Sequence, residues 1–313
     1  MVKDSALDSD IKVTLFAVPK SFKGHFAMIQ RNALGSWIAQ GPYCQVILVG
    51  DEEGTTEAAA EFGIKHIPYV AKNEYGTPLL NSLFREVRKA TNSKVFCFVN
   101  SDIMLTPNLV DVVSRVPFKR FLMVGRRYNV NISRLGNFDS ENWDTRLVHL
   151  AEQVGEMDQP CAIDYFVFTR DLFQNIPEFA IGRIGYDNWL IYKARSEKVP
   201  VLDASKVITA VHQNHDYSHY PSGYYGTREG PEAKRNMDLC GGGKYRFSIT
   251  DSTWILSEKG LRRALSYGPI SRLFDSIPVL YPKLKYPIVI LGLMPKTLIK
   301  GLRLLKRAVE RKQ

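Results

Sequence analysis

Three segments of the chain combine residue types that can do chemistry. Asn100-Ser101-Asp102 follows the apolar run KVFCFV at 94–99. Such a run reads as a strand buried on both faces of a parallel sheet, which delivers Asp102 to the sheet's carboxyl edge. Open α/β sheets bind their ligands at that edge, and a carboxylate there suits a divalent metal bound through hard oxygen. The alternative use of Asp102 is to cap the following turn and the helix after Pro107. Gly185-Tyr186-Asp187-Asn188-Trp189 places a second carboxylate among aromatics at the start of a helical pattern, where it can serve as an N-cap. His212-Gln213-Asn214-His215-Asp216 closes a late strand pattern. His212, His215 and His219 have zinc-like spacing but no accompanying Cys/His cluster or His-Glu-x-x-His helix. Each can instead hydrogen-bond within a Tyr-rich loop.

The elements that must carry these residues alternate in period. Short apolar runs predict strands over 13–18, 45–49, 66–70, 94–99 and 121–124. Between them, helical spacing predicts helices over 24–40 (Phe26, Ile29, Ala33, Trp37), 55–62 and 79–90. Strands alternating with helices of this length imply βαβ units and a mostly parallel sheet covered on both faces. The pattern loosens after Arg126, where 128–160 reads as a polar, helix-containing insertion. It resumes with a strand over 163–169, a helix over 187–196 and short strands over 199–202 and 207–211. The segment 213–243, rich in Tyr, Gly, His and Asn, reads as a long structured loop.

With 313 residues, 45% hydrophobic and 24% charged, and a mean hydropathy of −0.18, the composition is that of an ordinary globular chain with a full-size core. A formal charge of +10 suggests nucleic acid or anionic membrane when it is spread evenly. Here it is not spread evenly. Residues 1–258 carry 29 Lys+Arg against 30 Asp+Glu, whereas 259–313 carry 13 against 2. The neutral body argues against a nucleic-acid partner, and the contrast divides the chain into an α/β domain over 1–258 and a basic segment over 259–313. Cys44, Cys97, Cys161 and Cys240 form no CxxC pair and read as free thiols of a reducing compartment. The first ten residues show no apolar signal core, and the apolar run at 286–294 falls far short of the roughly 20 residues a spanning helix needs. A cytoplasmic protein is expected.

The order of the chemical segments resembles the GT-A fold of nucleotide-sugar-dependent glycosyltransferases, especially family-2-like members. The matching order is a strand-end N-S-D, an aromatic-flanked Asp opening a helix, and a His-rich strand end. It spans roughly residues 11–216. That resemblance implies a Rossmann-related, mostly parallel sheet flanked by helices, and transfer of a sugar from a nucleoside-diphosphate donor to a glycan or lipid-linked acceptor. The family's strand-end motif is D-x-D, whose last Asp binds Mn²⁺ or Mg²⁺ at the donor's diphosphate; this role falls to Asp102. Asn100 stands where the first Asp would be, which removes one negative charge but keeps a group able to hydrogen-bond ribose or a metal-bound water. Ser101 lies beside it. Mn²⁺ accepts imidazole as well as carboxylate, so His212 or His215 is the expected second protein ligand, His212 favoured by its place beside the strand. Asp187 corresponds to the family's general base, which takes the acceptor hydroxyl's proton when transfer inverts, and Trp189 offers an apolar wall for a sugar ring. The nucleotide is expected on Ala17, Val18 and Pro19 after the first strand and on Asp51 after the second. Residues 73–77, with Gly76 and Thr77, either line the ribose or form an ordinary turn. Arg126 and Arg127 either meet an anionic group or are solvated.

The last 18 residues, 296–313, read as an amphipathic helix with Leu298, Leu302, Leu305 and Val309 on one stripe. Seven basic residues against one Glu310 make it suited to an anionic membrane surface, which places the chain peripherally at the inner face. Packing on the domain is the alternative. Two other functions compete with sugar transfer. A sugar nucleotidyltransferase needs a Gly-rich basic loop after the first strand, and 19–24 (PKSFKG) has a single Gly. A non-catalytic sugar- or membrane-binding module is left open by the missing first Asp of the D-x-D.

Overall fold

The computed structural model describes residues 12–216, 223–264 and 270–284. It divides into two compact units, Met1–Leu265 and Ser266–Gln313. In chain order the first holds β1 (Val13–Ala17), α1 (Gly24–Ile38), β2 (Cys44–Val49), α2 (Thr55–Glu61), β3 (Lys65–Ile67), α3 (Leu80–Ala90), β4 (Val95–Val99), β5 (Ile103–Leu105), α4 (Leu109–Ser114), β6 (Leu122–Val124) and β7 (Arg127–Val130). It continues with α5 (Trp143–Val154), β8 (Glu156–Met157), β9 (Tyr165–Thr169), α6 (Tyr186–Ser196), β10 (Val201–Asp203), β11 (Ala210–Gln213), α7 (Gly223–Glu229), α8 (Pro231–Cys240), β12 (Trp254–Ser257) and β13 (Gly260–Arg263). The second unit contains α9 (Ile270–Leu280) and a 3-10 turn, Pro282–Leu284.

The expected α/β architecture is present. One large sheet runs β13-β12-β10-β6-β9-β4-β1-β2-β3, and a smaller one runs β5-β11-β7-β8. In the large sheet β3, β2, β1 and β4 are mutually parallel, as are β6, β10 and β12. Between these two groups β9 is inserted antiparallel to both neighbours. Its inversion matters for the site, because the start of β9 lies at the same edge as the end of β4, with Val99 opposite Tyr165.

Period and burial agree where one element faces one core. Val13, Leu15, Phe16 and Ala17 of β1, and Phe96, Cys97, Phe98 and Val99 of β4, are all buried, as strands covered on both faces require. On one face Phe16, Phe84, Phe98 and Phe168 pack as a mutual aromatic cluster, with Phe84 and Phe168 stacked at 5.1 Å. Of the expected stripe on α1, Ile29, Ala33 and Trp37 are fully buried and Phe26 is half-buried. Gly125, just past β6, is a close approach. A Cβ there would lie 1.9 Å from the Tyr165 hydroxyl, so no larger residue fits.

Several elements differ from expectation. The segment 213–243 contains α7 and α8 rather than only loop. Pro231 opens α8 and Gly241, at φ +80°, closes it, so the helix carries its stop and start signals inside a Tyr- and Gly-rich composition. The late strand lies at Ala210–Gln213 instead of 207–211, and puts His212 within the ladder. Besides the expected helix, 128–160 supplies β7 and β8 to the small sheet. The hairpin β12–β13 adds two strands at one end of the large sheet, with β13 at its edge, and the first unit runs to Leu265. Residues 286–294, the basic stretch 296–313 and His219 lie outside the described residues. Among the described residues no helix is long and apolar enough to cross a membrane.

Candidate active site

A cleft of about 1010 Å³ opens at the carboxyl edge of β1 and β4. Its floor holds Asp102, His212 and His215, whose candidate ligand atoms all lie within 4.8 Å of one another. The sequence distance of 110 residues between Asp102 and His212 is closed by β5. That three-residue strand begins directly after Asp102 and pairs antiparallel with β11, setting His212 opposite Ile103. Buried Gln213 rivets the junction. Its Nε2 donates to the Asp102 carbonyl at 3.1 Å and to the Ile29 carbonyl at 2.7 Å, while Asn32 donates to its Oε1 at 2.9 Å. From the other side α1 holds β5 by its main chain. Trp37 Nε1 donates to Ile103 O at 2.9 Å, and Leu105 N donates to Ser36 Oγ at 3.1 Å.

Asp102 Oδ2 faces three cationic or potentially cationic groups. His215 Nε2 lies at 3.1 Å, Lys20 Nζ at 3.9 Å and His212 Nε2 at 4.0 Å. Asp102 Oδ1 and His212 Nδ1 are buried with no hydrogen-bond partner, a costly state that a bound cation would relieve at the carboxylate. Burial alone would raise the Asp102 carboxyl. The His215 hydrogen bond and the charges of His212, Lys20 and His215 outweigh it and hold the group well below the usual carboxylate range. Burial lowers His212 below its ordinary value, which favours the neutral ring that ligates metal. One hard oxygen and two imidazoles suit Mn²⁺ or a neighbouring transition metal better than Mg²⁺, which prefers all-oxygen shells.

Asp187 stands on another wall of the same cleft, at the second position of α6. The helix is flanked by Gly185 at φ +108°, and no side chain caps it. Asp187 is therefore not an N-cap, and its Oδ1 is buried without a partner. Burial is the main cause that pushes its carboxyl up to about 6; Asp164 adds to the rise, while the Asn188 main chain and Arg246 oppose it. Arg246 is steered by Asn188, whose Oδ1 accepts from Nε at 3.2 Å and Nη2 at 3.0 Å. A carboxyl with its pKa near 6 in a cleft is suited to take a proton near neutral pH.

The anticipated residues do not all meet. Val18, Pro19, Asn100, Ser101, Asp102, Asp187, His212 and His215 line the cleft. Ala17 is fully buried in β1, and Asp51 is an exposed side chain paired with Lys72 at 2.7 Å; neither is part of the cleft wall, where Glu52 stands instead. Asn100 Nδ2 donates to Asp164 Oδ1 at 2.5 Å, which leaves its amide oxygen to offer to a ligand. Gly76 and Thr77 line the cleft within a turn closed by Asn73, whose Oδ1 accepts from Tyr75 N and Thr77 N. Trp189 is not a sugar wall, being buried against Phe179 with ring centroids 5.3 Å apart. Arg126 and Arg127 are neither solvated nor free for a ligand. Arg126 donates to the Asp158 carbonyl, and Arg127 is bridged to both Asp158 and Asp164. Sequence reasoning missed Asp164, because nothing local to 163–169 reveals that this strand runs antiparallel. It also missed Gln213 and Gln30, whose only signal is a polar residue on an otherwise buried face.

No protein-family model matches the chain, and no curated protein does. The chain is similar to several solved structures. Glucosyl-3-phosphoglycerate synthase from Mycobacterium tuberculosis, in complex with Mg²⁺ and UDP, is 14% identical, with 76% of this chain and 82% of that chain covered and a TM-score of 0.44. The same enzyme with Mn²⁺, UDP and glucosyl-3-phosphoglycerate is 14% identical over 76% of this chain and 83% of that one, at a TM-score of 0.45. S. aureus TarS 1–349 is 13% identical over 59% of this chain and 55% of that one, at a TM-score of 0.40.

Proposed function

We propose that the first unit is a metal-dependent glycosyltransferase, moving a sugar from a nucleoside-diphosphate donor to an acceptor hydroxyl with inversion. One observation carries this: Asp102, His212 and His215 converge, with Asp102 Oδ1 and His212 Nδ1 unpartnered, in the cleft that also holds Asp187, whose Oδ1 is unpartnered too. Asp102, His212 and His215 would hold Mn²⁺ or Mg²⁺, the two imidazoles favouring Mn²⁺. When bound, the cation supplies Lewis-acid stabilisation of the negative charge that gathers on the departing diphosphate. Val18, Pro19, Asn100 and Ser101 line the donor half. Asp187, deprotonated, accepts the acceptor's hydroxyl proton. The acceptor oxygen then bonds to the anomeric carbon, the bond from that carbon to the β-phosphate oxygen breaks, and its electron pair leaves with the nucleoside diphosphate.

The basic segment after residue 259 supports an acceptor presented at an anionic membrane surface, as a glycan or lipid-linked hydroxyl, and a place for the protein at the inner face of the membrane. Hydrolysis of UDP- and GDP-sugars with and without Mn²⁺ tests the assignment. Turnover is expected to need the metal and to fall at least about 100-fold in Asp102→Ala. Turnover that is metal-independent and survives the substitution overturns it, and the absence of any donor turnover favours a binding module instead.

A further inference from the structure

The loop after β1 offers more than backbone to the cleft. Lys20 is held by its own main chain: its N–H donates to Gln30 Oε1 at 2.7 Å, and Gln30 Nε2 donates back to the Lys20 carbonyl at 2.9 Å. Gln30 is 1% exposed on α1, so the clamp is shielded from water and rigid. From this anchor the side chain runs over the Phe26 ring, with Nζ 4.7 Å from its centroid, and reaches to 3.9 Å from Asp102 Oδ2. Next to it, Ser21 Oγ is buried without a hydrogen-bond partner and Ser21 lines the same cleft.

We propose that Lys20, positioned by Gln30, is the protein's own counter-charge for the donor's diphosphate, and that Ser21 donates to the same group. This rests on the nucleotide-sugar assignment above and deepens it. As it stands, Lys20 balances Asp102. A divalent cation held by Asp102, His212 and His215 would take over that balance and leave the ammonium facing a like charge, which costs free energy at a few ångströms unless an anion lies between them. A diphosphate is such an anion. The need for this second charge is consistent with the rest of the edge. Of the other cations lining the cleft, Arg127 is committed to Asp158 and Asp164 and Arg183 to Glu232, so neither has a charge to spare.

Calorimetry on the full chain tests this with Mn²⁺ alone, then with UDP and GDP against UMP and GMP in saturating Mn²⁺. The monophosphates lack only the β-phosphate. In Lys20→Gln, affinity for Mn²⁺ alone is expected to rise about threefold or more as a competing cation is lost. Diphosphate affinity falls about tenfold or more while monophosphate affinity changes less than about twofold. Lys20→Arg keeps most of the diphosphate preference. Gln30→Met erodes that preference without tightening Mn²⁺, which a purely structural role would not do, and circular dichroism checks that each variant is folded. If the wild type prefers the diphosphate and Lys20→Gln prefers it equally, Lys20 is only a partner of Asp102 and the proposal fails alone. If the wild type binds neither diphosphate, the nucleotide-sugar assignment fails and takes the proposal with it.

Discussion

Asp102 is a buried carboxylate and Asp187 a half-buried one with Oδ1 buried, and their surroundings push them in opposite directions. Asp102 is ringed by His215, Lys20 and His212 and stays ionised, whereas Asp187 has burial and Asp164 against it and titrates near 6. This separation is what one metal-binding and one proton-accepting carboxylate require. Asp187→Asn is expected to abolish transfer while leaving nucleotide binding within about twofold of wild type; a parallel loss of nucleotide affinity would mark the residue as structural. The acid limb of the rate profile should lie near pH 6, because activity needs the deprotonated form and is lost as pH falls through the folded-state value. The stability sign is the reverse of the usual carboxylate. A raised folded pKa means the folded state binds the extra proton, so stability falls as pH rises from about 4, the unfolded value, to about 6. Thermal melts should therefore show Asp187→Asn at least as stable as wild type at pH 7.5. A clear loss of stability there would contradict the raised folded-state value of this carboxyl.

At the level of elements, the site depends on short pieces that are weak alone. The β5 strand has three residues, yet it sets Asp102 against His212 because α1 and Gln213 satisfy its main chain. Gln213→Leu removes the groups that satisfy the Asp102 and Ile29 carbonyls and Asn32, so a loss of about 2 kcal/mol or more is expected in denaturant melts. Weaker Mn²⁺ binding should accompany it. A second joint ties α8 to the cleft mouth. Arg183 and Glu232, both nearly buried, form an ion pair at 2.5 Å, and Asn73 donates to Glu232 at 2.7 Å. Arg183→Met strands a buried carboxylate and should cost about 3–5 kcal/mol, measured by the same melts; a loss below 1 kcal/mol would show the pair to be dispensable.

Along the whole chain, basic charge and candidate site residues fall in different segments. The first 258 residues are close to neutral and hold the cleft, whereas the last 55 carry 13 of the 42 basic residues and only two acids. Deleting 296–313 is expected to leave donor hydrolysis intact and to release the protein from anionic liposomes in co-sedimentation. Unchanged co-sedimentation would overturn a membrane role for this segment. The four cysteines remain free thiols, with Cys97 and Cys240 buried, so no disulfide braces the fold.

Asp102 and Asp187 were legible along the chain because each marks a local boundary: the end of an apolar run, the start of a helical one. Local periodicity is enough to expose such positions, and enough to place β1, β2, β4 and α1. It could not reveal that β9 runs antiparallel and lays Asp164 beside Asn100, since direction is set by which neighbours complete the strand's hydrogen bonds. Nor could it show that Trp189 turns into the core, Arg127 is spoken for and Asp51 points away, because side-chain partners come from segments tens of residues distant. The amino-acid order therefore names the carboxylates and the histidines. Packing alone chooses which of them meet, because a charge taken from water either finds a counter-charge, as Asp102 does, or holds its proton more tightly, as Asp187 does.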